Sequence, residues 1–178
     1  MTKIATPKQI LSFWKKAGPK RWFKANSAFD QKIREQFLVT HQAAEMEKFG
    51  SWEENAEGAL ALVLLLDQFP RNMFRGTARA FVNDVLAREV TGRAIERGFD
   101  RKIDPAFRNF FYVPYMHSEN LADQVRCLKL SKGLPGKDAD KYAKIHYAII
   151  KRFGRFPHRN EILGRNSTSE EIAFLEAA

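Results

Sequence analysis

Apolar residues recur at intervals of three and four along almost the whole chain, and this periodicity constrains the fold more than any other feature. The clearest stretch runs through Phe29, Ile33, Phe37, His41 and Ala44. Such spacing places large side chains on one face of a helix. We find no alternation of apolar and polar residues long enough to predict a strand. The sequence therefore predicts an all-α fold.

Capping and helix-breaking residues divide this pattern into about seven or eight helices with short connections. The predicted helix starts are Pro7, Ser27, Ser51, Thr77, Asp104-Pro105, Ser118, Asp138 and Thr168. Ser51 with Glu54, and Thr168 with Glu171, have the spacing of a capping box. We expect Gly50 to close the second helix and the Phe-rich helix to stop before Pro114. Because no linker interrupts the pattern, we expect one domain over residues 1–178.

The formal net charge of +9 favours an anionic partner, nucleic acid included, but the charge is unevenly distributed. From Lys141 to Arg165, seven basic residues face one acid, Glu161. A solvated basic surface is the simpler interpretation. The chain has no recognisable helix-turn-helix motif, so any nucleic-acid binding would be directed at the phosphate backbone and sensitive to salt.

Cysteine usage and hydropathy indicate a cytoplasmic location. The only cysteine, Cys127, has no partner for an intrachain disulfide, and we find no leader resembling a signal peptide. The longest apolar stretch, from Ala59 to Leu66, is far shorter than the roughly 20 residues that a membrane-spanning helix needs. We expect no membrane association. The chain lacks HExxH, paired-cysteine and phosphate-loop spacings, so it predicts no metal site and identifies no cofactor.

Two segments of related sequence follow apolar helices, with Phe69 and Phe156 at corresponding positions. They are Asp67-Gln68-Phe69-Pro70-Arg71-Asn72 and Arg155-Phe156-Pro157-His158-Arg159-Asn160. Helix-end architecture explains their apolar and turn-forming residues, because proline ends a helix and asparagine tolerates turn conformations. The charged residues are harder to explain this way. Asp67 at a helix C-terminus opposes the helix dipole, so we expect Arg71, Arg155 or Arg159 nearby.

Three runs resemble a bacterial family of unknown function. They are Leu64–Asn72 (LLLDQFPRN), Phe111–Glu119 (FYVPYMHSE) and Gly154–Asn160 (GRFPHRN). The similarity extends over nearly the whole chain. It implies a tetratricopeptide-like array of stacked antiparallel helices, and it implies no activity.

These runs together supply a candidate polar pocket rich in arginine and histidine. The predicted ligand-binding residues are Asp67, Arg71, Asn72, His117, Glu119, Arg155, His158, Arg159, Asn160 and Arg165. Arg71, Arg159 and Arg165 are suited to holding a carboxylate or phosphate through paired hydrogen bonds. The helix entrance at Ser118 would add backbone donors. The leading hypothesis is therefore binding of a small anion or a peptide carboxylate.

Three other interpretations stay open. The same pocket suits a hydrolase-type acid-base enzyme in which His117 or His158 moves protons, oriented by Asp67 or Glu119. The polar residues are also explained by a buried network that fixes helix ends. Finally, the basic surface or exposed aromatic residues would serve an interaction module for protein or, weakly, for nucleic acid.

Overall fold

The computed structural model describes residues 4–136 and 139–177, and throughout these residues the ordered elements are helices, with no strand. The all-α prediction is confirmed. The chain divides into two compact units, the first comprising Met1–Arg75 with Arg79–Pro114, and the second comprising Gly76–Ala78 with Tyr115–Ala178. The single domain over residues 1–178 and the tetratricopeptide-like arrangement stay predictions.

The first unit is built around the apolar helix α4. Its α-helices are α1 (Pro7–Ala17), α2 (Pro19–Trp22), α3 (Ser27–Glu45), α4 (Ala56–Val63), α5 (Phe69–Met73) and α6 (Asp84–Glu96). Helix α7 (Pro105–Met116) follows, and its last two residues belong to the second unit. Helix α4 packs against α1 and α6, and α3 packs against α5. All residues of α4 from Gly58 to Val63 are buried, which fits an apolar helix at the centre of a core.

Aromatic side chains fill the core of the first unit. Trp14 and Phe69 are fully buried, with ring centroids 5.5 Å apart, and Trp14 meets the ring of Phe110 edge-on at 5.7 Å. The predicted inward face of α3 is confirmed, because Phe29, Ile33 and Phe37 are all buried. Large aromatic side chains contribute much of the apolar area that stabilises such a core.

The second unit contains α8 (Leu121–Ser131), α9 (Lys141–Phe153) and α10 (Ser169–Glu176). Helices α8 and α9 pack against each other, and α10 contacts a 3₁₀ turn at Pro157–Arg159. Gly154 ends α9 with a positive φ of 70°, a conformation that favours glycine. This C-cap separates α9 from the second of the two related segments. We call Asp67–Asn72 and Arg155–Asn160 the first and second Phe-Pro segments.

Several predicted helix starts are confirmed. Helix α1 begins at Pro7, and α10 begins after a complete capping box formed by Thr168 and Glu171. The Asp104 carboxylate accepts a hydrogen bond from the amide of Ala106 at 3.0 Å, as expected of a residue that precedes a proline-initiated helix. Local capping chemistry determined these positions.

At three predicted helix starts a nearby asparagine caps the helix, so the predicted caps at Ser51 and Ser118 are wrong. Helix α3 begins at Ser27 as predicted, and Asn26 Oδ1 accepts from the amide of Phe29 at 2.8 Å. Asn55 Oδ1 accepts from the amide of Gly58 at 2.9 Å, while the predicted capping box from Ser51 lies in a 3₁₀ helix, Gly50–Glu54. Asn120, rather than Ser118, accepts from the first turn of α8.

Other predicted boundaries also differ from the structure. Helix α3 ends at Glu45, before Gly50, and α6 begins at Asp84 after a 3₁₀ turn that follows Thr77. Helix α7 continues to Met116 with Pro114 inside it. The predicted start at Asp138 lies outside the described residues.

Pro70 does not end a helix, contrary to the prediction. A π-helical segment, Leu64–Gln68, joins α4 to α5, and the amide of Phe69 donates to the carbonyl of Leu64, five residues earlier. Pro70 has no N–H to continue this pattern to Leu65. A ring nitrogen of His41, Nδ1, lies 2.8 Å from the Leu65 carbonyl oxygen, and this contact satisfies the carbonyl. The predicted core position of His41 is explained by this bond.

We expect His41→Phe to lower the free energy of unfolding by about 1–3 kcal/mol, because the Leu65 carbonyl would stay buried without a donor. Urea denaturation measures this loss. Phenylalanine preserves a ring at this fully buried position, so the comparison reports the loss of the Leu65 bond together with that of the contact of His41 Nε2 to Glu45 Oε1 at 3.1 Å. Wild-type stability in His41→Phe would show that the bond contributes little.

Candidate functional site

The ten predicted site residues are distributed over both units. Asp67, Arg71 and Asn72 lie in the first unit, and the other seven lie in the second. Within each unit, several of these residues take part in hydrogen-bonded networks. That all ten line one pocket stays a prediction.

In the first unit, Asp67 lies on the π-helical segment and is fully buried. Its Oδ2 accepts a hydrogen bond from the side-chain amide of Gln68 at 2.6 Å, and its Oδ1 lies 3.3 Å from Nη1 of Arg71. Arg71 also donates to the backbone carbonyl of Asp67 at 2.7 Å. The predicted cation beside Asp67 is therefore Arg71, at a spacing of four residues.

The guanidinium of Arg71 also forms a paired contact with Asp84. Nη1 and Nη2 donate to the two carboxylate oxygens at 2.9 and 3.0 Å. Burial would lower the pKa of Arg71, but the charges of Asp67 and Asp84 outweigh it and raise the pKa. This fork therefore holds α5 to the start of α6.

Asn72 joins a separate pairing in the first unit. Its Nδ2 donates to Asp30 Oδ1 at 2.7 Å, and Nε of Arg75 donates to the other oxygen at 2.7 Å. Burial would raise the pKa of Asp30, but the hydrogen bonds from Arg75 and Asn72 keep it below its ordinary value. The pairing ties α3 to the end of α5.

In the second unit, Glu119 and Arg165 form a paired ion contact across 46 positions of sequence. Arg165 Nη1 and Nη2 donate to the two oxygens of Glu119 at 2.7 and 3.0 Å, and the Phe156 amide donates to Oε1 at 2.8 Å. Burial would raise the pKa of Glu119, yet the hydrogen bonds from Arg165 and Phe156 lower it overall. Glu119 thereby fixes the backbone at Phe156.

Asn160 links this pair to Glu171 on α10. Asn160 Oδ1 accepts from Arg165 Nε at 3.0 Å, and its Nδ2 lies 3.3 Å from Glu171 Oε2. Arg155 donates to both Glu171 oxygens at 2.6 and 2.7 Å. The hydrogen bonds from Arg155 and the Thr168 amide lower the pKa of Glu171 to about 2. Arg155 and Arg165 are thus each anchored by a carboxylate.

The buried ring of Phe156 is surrounded by basic groups. The ring centroids of His146 and His158 lie 5.4 and 5.5 Å from that of Phe156. The Arg159 guanidinium lies over the same ring at 4.5 Å from its centroid. His158 is exposed, Arg159 is only 6% exposed, and His117 is half-buried. We call His117, His146, His158 and Arg159 the histidine cluster.

The positive charges of the histidine cluster act on one another. Burial lowers the pKa of His146 to about 4, and His117, His158 and Arg159 add to the effect against an opposing bond to the Tyr142 carbonyl. His158 is exposed on one side only, and the desolvation of its ring against Phe156 lowers its pKa; the charge of Arg159 adds to this effect and Glu119 opposes it. The cluster is therefore a place where positive potential disfavours histidine protonation.

Several participants in these networks were not among the predicted site residues. Asp30 and Asp84 pair with residues of the first Phe-Pro segment, Asp67–Asn72. Glu171 and His146 contact residues of the second, Arg155–Asn160. The sequence did carry one signal, because Glu171 belongs to the predicted capping box with Thr168. The other three are distant in sequence from their partners, and tertiary packing alone brings them together.

Other site chemistry is limited in the part of the chain that the structure describes. It holds no group of three or more His, Cys, Asp or Glu residues arranged to bind a metal ion. Burial raises the pKa of the Cys127 thiol to about 11, which makes its reactive thiolate scarce at neutral pH.

Among the described helices, none is both long and apolar enough to cross a membrane.

Fold and clusters together define an all-helical protein whose two related Phe-Pro segments anchor polar networks at helix ends. The chain belongs to the family described as bacterial protein of unknown function (DUF924), which matches residues 10–178. This match confirms the family resemblance of the three sequence runs.

A solved structure of a protein of unknown function from Agrobacterium tumefaciens has the same fold. It is 46% identical in sequence, the match covers 97% of each chain, and the TM-score is 0.93. No curated protein matches the chain.

Proposed function

We propose that the second unit binds a small anion, a phosphate or a carboxylate, at the exposed side of the histidine cluster. The observation that carries this proposal is the environment of His158. This exposed side chain lies beside Phe156, and the positive charges of Arg159, His117 and Arg165 act on it against the opposing charge of Glu119. Bound negative charge would offset their mutual repulsion.

The ion pairs of the second unit hold the backbone of this place rigid. Glu119 and Glu171 each hold an arginine in a paired contact, so they fix the Phe156–Asn160 backbone on which His158 and Arg159 are presented. A bound anion gains most when its donors are held in place before it arrives, because little ordering is then needed.

Binding is favoured over acid-base catalysis because the carboxylate predicted to orient a histidine has other partners. Both oxygens of Glu119 accept from Arg165, and one also accepts from the Phe156 amide. The carboxylate of Asp67, the other predicted orienting residue, accepts from Gln68 and forms an ion pair with Arg71. A general base needs a hydrogen-bonded orienting partner, and these carboxylates are committed to structural bonds.

The direct test is calorimetric titration with inorganic phosphate and with acetate at constant ionic strength. We expect binding that strengthens from pH 8 to pH 5.5, because the anion favours protonated His158, whose pKa lies below its ordinary value. The double variant His117→Gln/His158→Gln is expected to bind about tenfold more weakly.

Lys141→Gln is the matched control, since Lys141 is an exposed base on α9 of the same unit. It is expected to bind phosphate like the wild type. Equal losses in the control and the double variant would indicate binding to the general basic surface. If neither phosphate nor acetate binds at pH 5.5, the proposed function is refuted.

A cytoplasmic location is part of this proposal. The lone cysteine, Cys127, is buried and has no disulfide partner in the sequence. A free thiol fits a reducing compartment, where metabolite anions are abundant ligands.

A further inference from the structure

A groove lies between α1 and α3 in the first unit, and none of the ten predicted site residues belongs to its lining. Its volume is about 680 Å³, within the range of pockets that hold small organic ligands. Ile4 and Ala5 belong to its lining, and the Ala5 amide donates to Thr40 Oγ1 on α3 at 2.8 Å. That bond fixes the segment before α1 against α3.

The groove has an apolar floor that a hydrocarbon chain fits. Phe13 and Phe37 line it with their rings edge-to-face, 5.0 Å between centroids. Ile4, also in the lining, is 40% exposed. Covering this surface with an alkyl chain would remove apolar area from water, at roughly 25 cal/mol per Å².

The rim of the groove carries an excess of positive charge. Lys8 and Lys16 stand on α1, eight residues and therefore roughly 12 Å apart along the helix. Both are exposed. Glu35 on α3 is the acid in the lining, and its carboxylate accepts a hydrogen bond from Gln31 at 2.8 Å. Two bases against one acid favour an anionic head group at the α1 side.

We propose that this groove binds an alkyl carboxylate, a molecule of the fatty-acid class. The chain lies on Phe13, Phe37 and Ile4, and the carboxylate pairs with Lys8 or Lys16. Lysine stems would also cover part of the chain while their charged ends stay in water. This site lies in the first unit, and it does not depend on anion binding at the histidine cluster.

The test is calorimetric titration of the full chain with laurate below its micelle concentration. Dodecyltrimethylammonium and 1-dodecanol serve as probes with the same chain length and a different head group. We expect saturable laurate binding and binding at least about tenfold weaker for the other two. Equal binding of all three would overturn the proposal, because the charged rim would then play no part. So would absence of laurate binding.

Two variants locate the binding. Lys8→Glu/Lys16→Glu should weaken laurate binding about tenfold or more. Lys15→Glu/Lys20→Glu is the control, because it makes the same charge change on bases outside this lining, and it should leave laurate binding unchanged. Ser12→Trp places a bulky side chain on the exposed lining of α1 and should block laurate. Circular dichroism confirms that each variant is folded. Unchanged laurate binding in the first variant or in Ser12→Trp would place the ligand elsewhere and refute the proposal.

Discussion

Replacing Phe156 with alanine is expected to lower the free energy of unfolding by about 3–5 kcal/mol, the usual loss for a large buried aromatic side chain. Phe156 is fully buried, and it is the ring against which His146, His158 and Arg159 pack. Its removal would leave a cavity beneath the histidine cluster and would also remove the cation–π contact with Arg159. Guanidinium denaturation measures the loss.

Phe153→Ala is the matched control, because Phe153 is a half-buried phenylalanine of the same unit that packs on Phe174 at 5.1 Å. Phe153→Ala should lower the free energy of unfolding by clearly less than Phe156→Ala does. Phe156→Leu should fall between them, since leucine keeps most of the apolar volume. A loss below about 1 kcal/mol in Phe156→Ala would show that the ring does not support the cluster.

Acidification from pH 7 to pH 4 is expected to remove about 3 kcal/mol of stability through His146 alone. Its pKa falls from an ordinary 6.5 to about 4 in the folded protein. Between these values the unfolded chain binds a proton at His146 and the folded protein does not. Stability from this group is therefore complete above pH 6.5 and is lost as the pH falls towards 4.

Comparison with His146→Phe isolates this contribution from the carboxylates that titrate in the same range. The variant keeps an aromatic ring beside Phe156 and removes the titrating group. Urea denaturation at several pH values should show a shallower decline in the variant between pH 6.5 and 4. Identical pH profiles for the two proteins would contradict the lowered pKa of His146.

Much of the fold follows from local sequence patterns. The buried face of α3 and the capping box of α10 required only residue spacing, because both depend on neighbours within a few positions. The exceptions are helix N-termini at which two nearby residues are both suitable N-caps. Asn26, Asn55 and Asn120 cap helices where a nearby serine had equivalent spacing, and serine and asparagine are similarly good N-caps.

Pro70 illustrates an error that no local pattern would have corrected. The rule that proline ends a helix fails there because the π-helical segment changes which carbonyl lacks a donor. His41, in a different helix, then supplies the missing bond to Leu65. Sequence spacing does not indicate which distant side chain satisfies a buried carbonyl.

The candidate site was predictable in its residue types and only partly in its contacts. The sequence singled out Arg71 and Arg155 as charged residues that helix-end architecture leaves unexplained, and it placed Arg165 among the predicted ligand-binding residues. Their carboxylate partners Asp84 and Glu171 lie 13 and 16 positions from Arg71 and Arg155, and Glu119 lies 46 positions from Arg165. Because ion pairs over such separations depend on tertiary packing, the sequence supplied the charges without their pairing.

The most direct measurement of the proposed function is the pKa of His158, followed by NMR with and without inorganic phosphate at constant ionic strength. We predict a pKa below the ordinary histidine value in the absence of phosphate, because the partial burial of the His158 ring against Phe156 and the charge of Arg159 disfavour protonation. Saturating phosphate should raise it, since the bound anion stabilises the imidazolium. A His158 pKa that does not change with phosphate would contradict anion binding at the histidine cluster.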